Sequence, residues 1–217
     1  PQPMYRLVIG NKNYSSWSMR PWVLLRHFGI PFEEVRVPMF TPGFKEQILR
    51  HSPTGKVPCL LDGDLAIWDS LAIAEYLAER HPGLWPAAPA ARAIARAVSA
   101  EMHSGFVALR EECTMNIRRR VAPRTLSAAG QADVARITAL WADCRARYGQ
   151  GGPYLFGDFS IADAMFGPVA FRFQTHGLPV EGAAADYLAA LLASPAMQTL
   201  AVEAAAEPEA IAHYDAA

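Results

Sequence analysis

Two kinds of hydrophobic spacing divide the chain. Over roughly its first 80 residues, short apolar runs alternate with stretches of helical period. "YRLVI" (5–9) is rich in β-branched and aromatic residues and reads as a buried strand. "GNKN" (10–13) is turn chemistry. Val23, Leu24, Leu25 and Phe28 then recur at helical spacing as far as Gly29, a natural stop. Proline lacks an N–H and fits the first turn of a helix, so Pro21 sets the expected start near Trp17 or Ser18. "FEEVRVPM" (32–39) is strand-like, and "GFKEQILRHS" (43–52) is a short helical piece. "VPCLLDG" (57–63) and "LAIWD" (65–69) flank Asp62-Gly63-Asp64, a strong hairpin signal. "SLAIAEYLAERHP" (70–82) is an amphipathic helix that ends at Pro82-Gly83. The order βαβ, helix, ββα predicts a four-stranded mixed sheet with helices packed on it, over residues 1–82.

Residues 83–91, "GLWPAAPAA", are rich in proline and alanine and read as a linker. From there to about 206 apolar residues recur at three- and four-residue steps, and no strand stands out. Helices are expected near 90–120, 127–149, 160–175, 184–193 and 195–206, making residues 92–217 an all-helical bundle.

Composition narrows the classes of function. The chain has 217 residues, is 52% hydrophobic and 19% charged, and carries a formal charge of −1. Nothing in that balance draws it to nucleic acid or to anionic membranes. Arg118-Arg119-Arg120 is the one basic run and reads as a solvated helix end. No apolar stretch reaches the roughly 18 residues of a spanning helix, and the N-terminus lacks a charged-then-apolar signal. Cys59, Cys113 and Cys144 are odd in number and widely spaced, which predicts a reduced, cytoplasmic protein without structural disulfides. The six histidines form no HxxxH or HExxH pattern, so no metal site is expected. "GNKNYSS" lacks the glycines of a nucleotide-phosphate loop.

Four stretches carry candidate chemistry. In "NYSSWSMRPW" (13–22), Ser15 and Ser16 precede a helix, where free N–H groups and the positive end of the helix dipole emerge. A hydroxyl there caps the helix or donates to an anion. Arg20 reads as a buried ion-pair residue, and Trp17 either packs or roofs a ligand. In "KVP" (56–58), Pro58 opens a strand. Such a proline is innocent when trans, whereas a cis Val57–Pro58 bond would turn the Val57 backbone outward, ready to pair with an extended peptide. Asp69-Ser70 lies between strand and helix: an ordinary N-cap, or a carboxylate-binding helix end beside an aspartate that accepts from an ammonium group. Ser160 and Asp163 have capping-box spacing, with Phe159 as a staple, and read as structural. His51 and His103 are candidate pocket residues for which solvated helix positions are the plainer reading.

Ser15, Val57-Pro58, Asp69-Ser70 and Ser160…Asp163, in that order, resemble the glutathione transferase family across essentially the whole chain. The resemblance implies a thioredoxin-like N-terminal domain followed by an all-α domain. "SSWSMR" looks most like the "SSCSWR" stretch of the zeta class, with Trp17 where that class has cysteine. Because that cysteine helps shape the zeta isomerase site, isomerisation of maleylacetoacetate is a secondary expectation.

The resemblance implies a site for glutathione, an extended tripeptide acidic at both ends. On this reading the Val57 backbone pairs with its cysteine, Asp69 and Ser70 hold the γ-glutamyl ammonium and carboxylate, and Lys56 meets the glycyl carboxylate or lends backbone only. Ser15, with Ser16 as the alternative, donates to the sulfur. Ser15-x-x-Ser18 maps onto the C-x-x-C of redox-active cousins, which favours Ser15, and the missing cysteines argue against disulfide exchange. A free thiol has a pKa of about 8.5. Lowering it by about two units takes about 2.7 kcal/mol of differential stabilisation, within reach of a hydroxyl donor and a helix terminus. The expected activity is attack of that thiolate on a small hydrophobic electrophile held by Trp17, Met102, Phe106 and Arg110. The i, i+4, i+8 spacing of the last three puts them on one helix face, where core or dimer contact is the equal alternative; Met115 reads as core or dimer contact. The family usually forms homodimers. Some of its members only bind glutathione or act as interaction modules, and that reading stays open.

Overall fold

The computed structural model describes residues 4–216. The N-terminal part runs β1 (Tyr5–Ile9), α1 (Ser16–His27), β2 (Phe32–Arg36), α2 (Phe44–Leu49), β3 (Cys59–Asp62), β4 (Leu65–Trp68) and α3 (Ser70–Arg80). The sheet order is β2-β1-β3-β4. β1 and β2 are parallel with Val8 opposite Val35, while β3 runs antiparallel to β1 with Leu60 opposite Leu7. β3 and β4 form the hairpin, which turns on Gly63 at φ 57°. This is a thioredoxin-like mixed sheet. Parallel β1 and β2 need a crossover, and α1 supplies it.

The strand expected over 32–39 ends at Arg36, because Pro38 lacks the N–H that would continue the ladder. Helix α1 corrects another expectation. It starts at Ser16 with Ser15 as N-cap, and Pro21 is its sixth residue, beyond the first turn. Pro21 cannot donate to the Trp17 carbonyl. Burial of Met19, Trp22, Val23, Leu24 and Leu25 on the same helix outweighs that loss.

The C-terminal part is α4 (Pro89–Ser104), α5 (Val107–Glu112), α6 (Ala128–Tyr148), α7 (Ile161–His176), α8 (Gly182–Ala193), α9 (Pro195–Ala205) and α10 (Ala212–Asp215). Among the described residues it has two isolated bridges, Tyr154 with Gly157 and Phe156 with Asp158, and no strand. The helix expected over 90–120 is broken. Gly105 is extended and Phe106 is left-handed at φ 60°, so α4 stops and α5 starts afresh. That break separates Met102, Phe106 and Arg110, which do not share a helix face. α10 was not foreseen.

α7 is the central post of the bundle, with fifteen of its sixteen residues buried. Its start is the expected capping box. Ser160 Oγ accepts the Ala162 N–H (3.3 Å), and Asp163 accepts the Ser160 N–H (2.8 Å), the Leu155 N–H (3.2 Å) and the Tyr187 hydroxyl (2.7 Å). Phe159 stacks on His27 of α1 with ring centres 3.8 Å apart, tying the cap to the first domain. α1 packs along α7, and one buried cluster runs from Leu7 and Leu60 through Trp22 to Trp141 and Phe166. No single helix among the described residues is long and apolar enough to cross a membrane.

Candidate functional site

The N-terminus of α1 opens into a cleft between the sheet and the bundle. The loop that delivers it is fixed by backbone bonds: the Ser15 N–H donates to the Asn11 carbonyl (2.9 Å), and the N–H groups of Lys12 and Asn13 donate to the two carboxylate oxygens of Glu207 (2.8 and 2.9 Å). Ser15 occupies the N-cap position with an extended backbone, but its hydroxyl caps no N–H among the described residues. It meets the Ser18 hydroxyl instead, at 2.7 Å, and Ser18 Oγ also accepts the Gly10 N–H at 3.1 Å. Ser16, the first helical residue, is half-buried.

Two adjoining recesses share Trp17, Lys56 and Val57 as a common wall. The first, about 500 Å³, is lined by Trp17, Lys56, Val57, Pro58, Asp69, Ser70 and His103, among others. The Val57–Pro58 bond is cis. Asp69 caps α3, its Oδ2 accepting the Leu71 and Ala72 N–H groups at 3.1 and 3.0 Å, while its Oδ1 lies 2.8 Å from His103 Nε2. Asp69 sits at φ 74°, ψ 127°, a conformation that costs a non-glycine residue about 1–3 kcal/mol. The two cap bonds and the His103 contact hold it there. Ser70 is buried, and its Oγ has no partner among the described residues. Lys56 is exposed at the mouth.

The second recess, about 520 Å³, reaches the bundle. Ser15, Ser16, Trp17, Met39, Phe44, Arg110, Arg172 and Tyr214 are among its walls. Trp17 and Arg110 both line it. Met102 and Phe106 do not: both are buried in the core and neither reaches the recess. Past the α4 break, Arg110 folds back and its Nη2 donates to the Met102 and His103 carbonyls (2.5 and 3.1 Å), closing the end of α4. His103, expected in solvent, faces the first recess and meets the Trp17 ring edge-on at 5.4 Å. His51 lines neither recess. Arg20 is buried as expected but makes no ion pair among the described residues; its guanidinium lies 4.3 Å from the Trp17 ring centre. Met115 is core. Cys59, Cys113 and Cys144 are buried and free, and burial raises all three thiols, Cys144 to about 12.

The recesses thus offer a helix N-terminus with a hydroxyl, a strand-like backbone at Val57, and a second helix N-terminus beside a carboxylate. Comparison with known proteins bears on the fold that carries these recesses. The family described as "Glutathione S-transferase, N-terminal domain" matches residues 14–80. A glutathione transferase homologue from Burkholderia GL BGR1, with bound glutathione, superposes with a TM-score of 0.70 at 25% identity, covering 94% of this chain and 99% of that one. Over residues 14–80 the chain is similar to the N-terminal domain of glutathione S-transferases, and over most of its length it shares the fold of a solved glutathione transferase homologue. Among curated relatives, the stringent starvation protein A homologue of Pasteurella multocida is 28% identical over 193 residues, 84% of each chain. A probable maleylacetoacetate isomerase of Caenorhabditis elegans is 36% identical over 93 residues, 42% of each chain.

Several residues of the cleft carry no local signal in the sequence. Tyr14 stands within the quoted serine stretch, yet its role depends on the far end of the chain: its hydroxyl donates to Asp215 (2.9 Å) and accepts from the Ile211 N–H (3.2 Å). Tyr214 and His213 reach the second recess from the short last helix. Arg172 sits on the buried post α7, where an all-round apolar pattern gives no sign of a recess. Burial and the mutual repulsion of neighbouring cations pull Arg20 down to about 9 and Arg172 to about 10.

Proposed function

We propose that this protein is a glutathione transferase that ionises the thiol of bound glutathione beside Ser15 and joins it to an electrophile in the second recess. The observation that carries the reading is the Ser15 hydroxyl, which spends itself on no helix N–H and lines the cleft. In this proposal the first domain holds the tripeptide. The Val57 backbone pairs with its cysteine residue by mutual N–H···O=C bonds. Ser70 Oγ and the amides at the start of α3 take the γ-glutamyl carboxylate. Asp69, shared with His103, takes the ammonium, and its strained backbone fits a binding role. Lys56 meets the glycyl carboxylate.

The thiol proton passes to solvent, and the sulfur anion stays charged because Ser15 donates to it at the positive end of α1. The sulfur then forms a C–S bond, and the leaving group departs with the bonding pair. Serine forms no covalent bond, and no general base is needed at a pKa brought near neutrality. Trp17, Met39, Phe44 and Tyr214 supply the apolar walls for the electrophile. We place a cytoplasmic homodimer in the same proposal; sedimentation equilibrium tests its oligomeric part.

Ultraviolet absorbance of the bound thiolate against pH tests the mechanism, followed by turnover of a chloronitrobenzene acceptor. A bound thiol that ionises no more readily than the free one, near pKa ~8.5, defeats it. A second reading, in which the chain binds without turnover, takes its support from the extent of the likeness to the stringent starvation protein A homologue, a protein named for no transferase activity. Glutathione binding with no conjugation of any acceptor would select that reading. Turnover of a maleyl compound would select the isomerase activity, which the partial likeness to the nematode protein supports.

A further inference from the structure

We infer that the electrophile accepted by the second recess is an anion, its carboxylate seated on Arg110 and Arg172 with Arg20 behind them at Trp17. The inference rests on the transferase reading above and adds to it the charge of the second substrate.

Three guanidiniums converge here, and among the described residues none has a carboxylate within ion-pair distance. Arg172 donates to the Arg110 and Cys113 carbonyls (3.3 and 2.6 Å), and Arg110 to the Met102 and His103 carbonyls. Carbonyls orient a cation and leave its charge uncancelled. Arg20 has less still: it is 2% exposed, and its Nε and Nη1 have no partner among the described residues. Trp17 gathers two of the three, with guanidinium carbons 4.3 Å (Arg20) and 4.6 Å (Arg110) from its ring centre.

The nearby acids are otherwise engaged. Asp69 caps α3 and meets His103, Asp133 accepts the Leu109 N–H (3.1 Å), and Glu111 is exposed in water at the rim. Burying unpaired cations together is costly unless something negative joins them. The two ends of glutathione are assigned to Lys56 and to the start of α3, so neither meets this charge. A planar carboxylate matches the guanidinium fork, and the surrounding Met39, Phe44 and Tyr214 suit the apolar body that carries it.

The test uses two stable thioethers that fill both recesses, S-(para-carboxybenzyl)glutathione and its neutral para-carbamoyl twin, titrated calorimetrically beside glutathione itself. The carboxylate should bind about tenfold more tightly than the amide, in line with a charge-assisted hydrogen bond. Arg110→Met should shrink that preference to about twofold, each thioether being referred to glutathione on the same variant, and Arg110→Lys should keep most of it. The wild-type comparison decides even where Arg110→Met fails to fold. Glutathione binding with no preference between the twins overturns the charge assignment alone. If glutathione itself does not bind, the transferase reading fails and this inference falls with it.

Discussion

Ser15 Oγ lies 2.7 Å from Ser18 Oγ, and Ser18 also receives the Gly10 N–H. In this arrangement Ser15 donates to Ser18. A hydroxyl hydrogen rotates about its C–O bond, so in the proposed complex the Ser15 proton swings from Ser18 to the sulfur without moving a heavy atom. The Gly10 N–H of the β1 turn holds Ser18 in place beside Ser15.

Removing the sulfur's donor should therefore raise the bound thiol's pKa by about one to two units and lower kcat/KM by about ten- to a hundredfold, the worth of a hydrogen bond to a charged group. Ser15→Ala should show this loss. Ser16→Ala should retain most activity, and Ser18→Ala should show a smaller pKa shift with KM little changed. Thiolate absorbance read against pH separates the three. A Ser15→Ala protein with the wild-type titration would move the role to Ser16.

Much of this layout could be read from the chain. Asp62-Gly63-Asp64 gave the hairpin, and the spacing of Ser160 and Asp163 gave the capping box, because both depend on residues close in sequence. Position in the cleft was harder to read. The i, i+4, i+8 pattern of Met102, Phe106 and Arg110 presumed one continuous helix, and the left-handed Phe106 broke it. Gly105 was the available signal: a Cβ there would sit 2.8 Å from the Glu101 carbonyl oxygen. Pro21 misled in the opposite direction, since tertiary burial tolerated what local preference forbids. Arg172 and Tyr214 join the recess only through long-range packing, which no local pattern encodes.

Asp69 has two separable roles, a cap and a charge. Asp69→Asn keeps an oxygen for the Leu71 and Ala72 N–H groups and loses the negative charge that faces His103. Stability should change by less than about 1 kcal/mol, the usual worth of an N-cap. Glutathione affinity should fall about tenfold with the loss of the ammonium's partner. Asp69→Ala should lose both. Calorimetric titration together with urea unfolding reads the two effects independently, and unchanged glutathione affinity in Asp69→Asn would remove Asp69 from the site.

Asp163 makes a pH-dependent contribution far from the cleft. Burial pushes its carboxyl up from an ordinary 3.8 to about 6, although bonds from Tyr187, Ser160 and Leu155 act against the rise. A folded-state value above the unfolded one means that the native protein binds this proton more tightly. The resulting stability is fully present below about pH 4 and is lost as pH rises through about 6, amounting to ~3 kcal/mol at ~1.4 kcal/mol per pKa unit. Asp163→Asn cannot titrate there. The wild type should exceed it most in acid, and the gap should narrow as pH climbs from about 4 to about 7. Urea midpoints of both proteins across that range are the measurement, and a gap that widens instead would refute the assignment.

Gly167 sets how closely α7 approaches α1, and through α1 it sets the place of Ser15. A Cβ on Gly167 would lie 2.8 Å from Met19 Cε and 3.4 Å from Met197 Sδ. Both contacts are with ends of flexible side chains, so Gly167→Ala should be nearly neutral, the gain in helix propensity of ~1 kcal/mol offsetting the squeeze. Gly167→Val adds branched methyl groups in the same confined space and should cost about 1–3 kcal/mol of overpacking. Met19 lies one turn beyond Ser15 on α1, so the strain displaces the helix start as well as the core. Gly167→Val should therefore lower Tm and weaken glutathione binding together, whereas a surface destabilisation lowers Tm alone. A Gly167→Val protein as stable as the wild type would show that the two helices do not meet at this point.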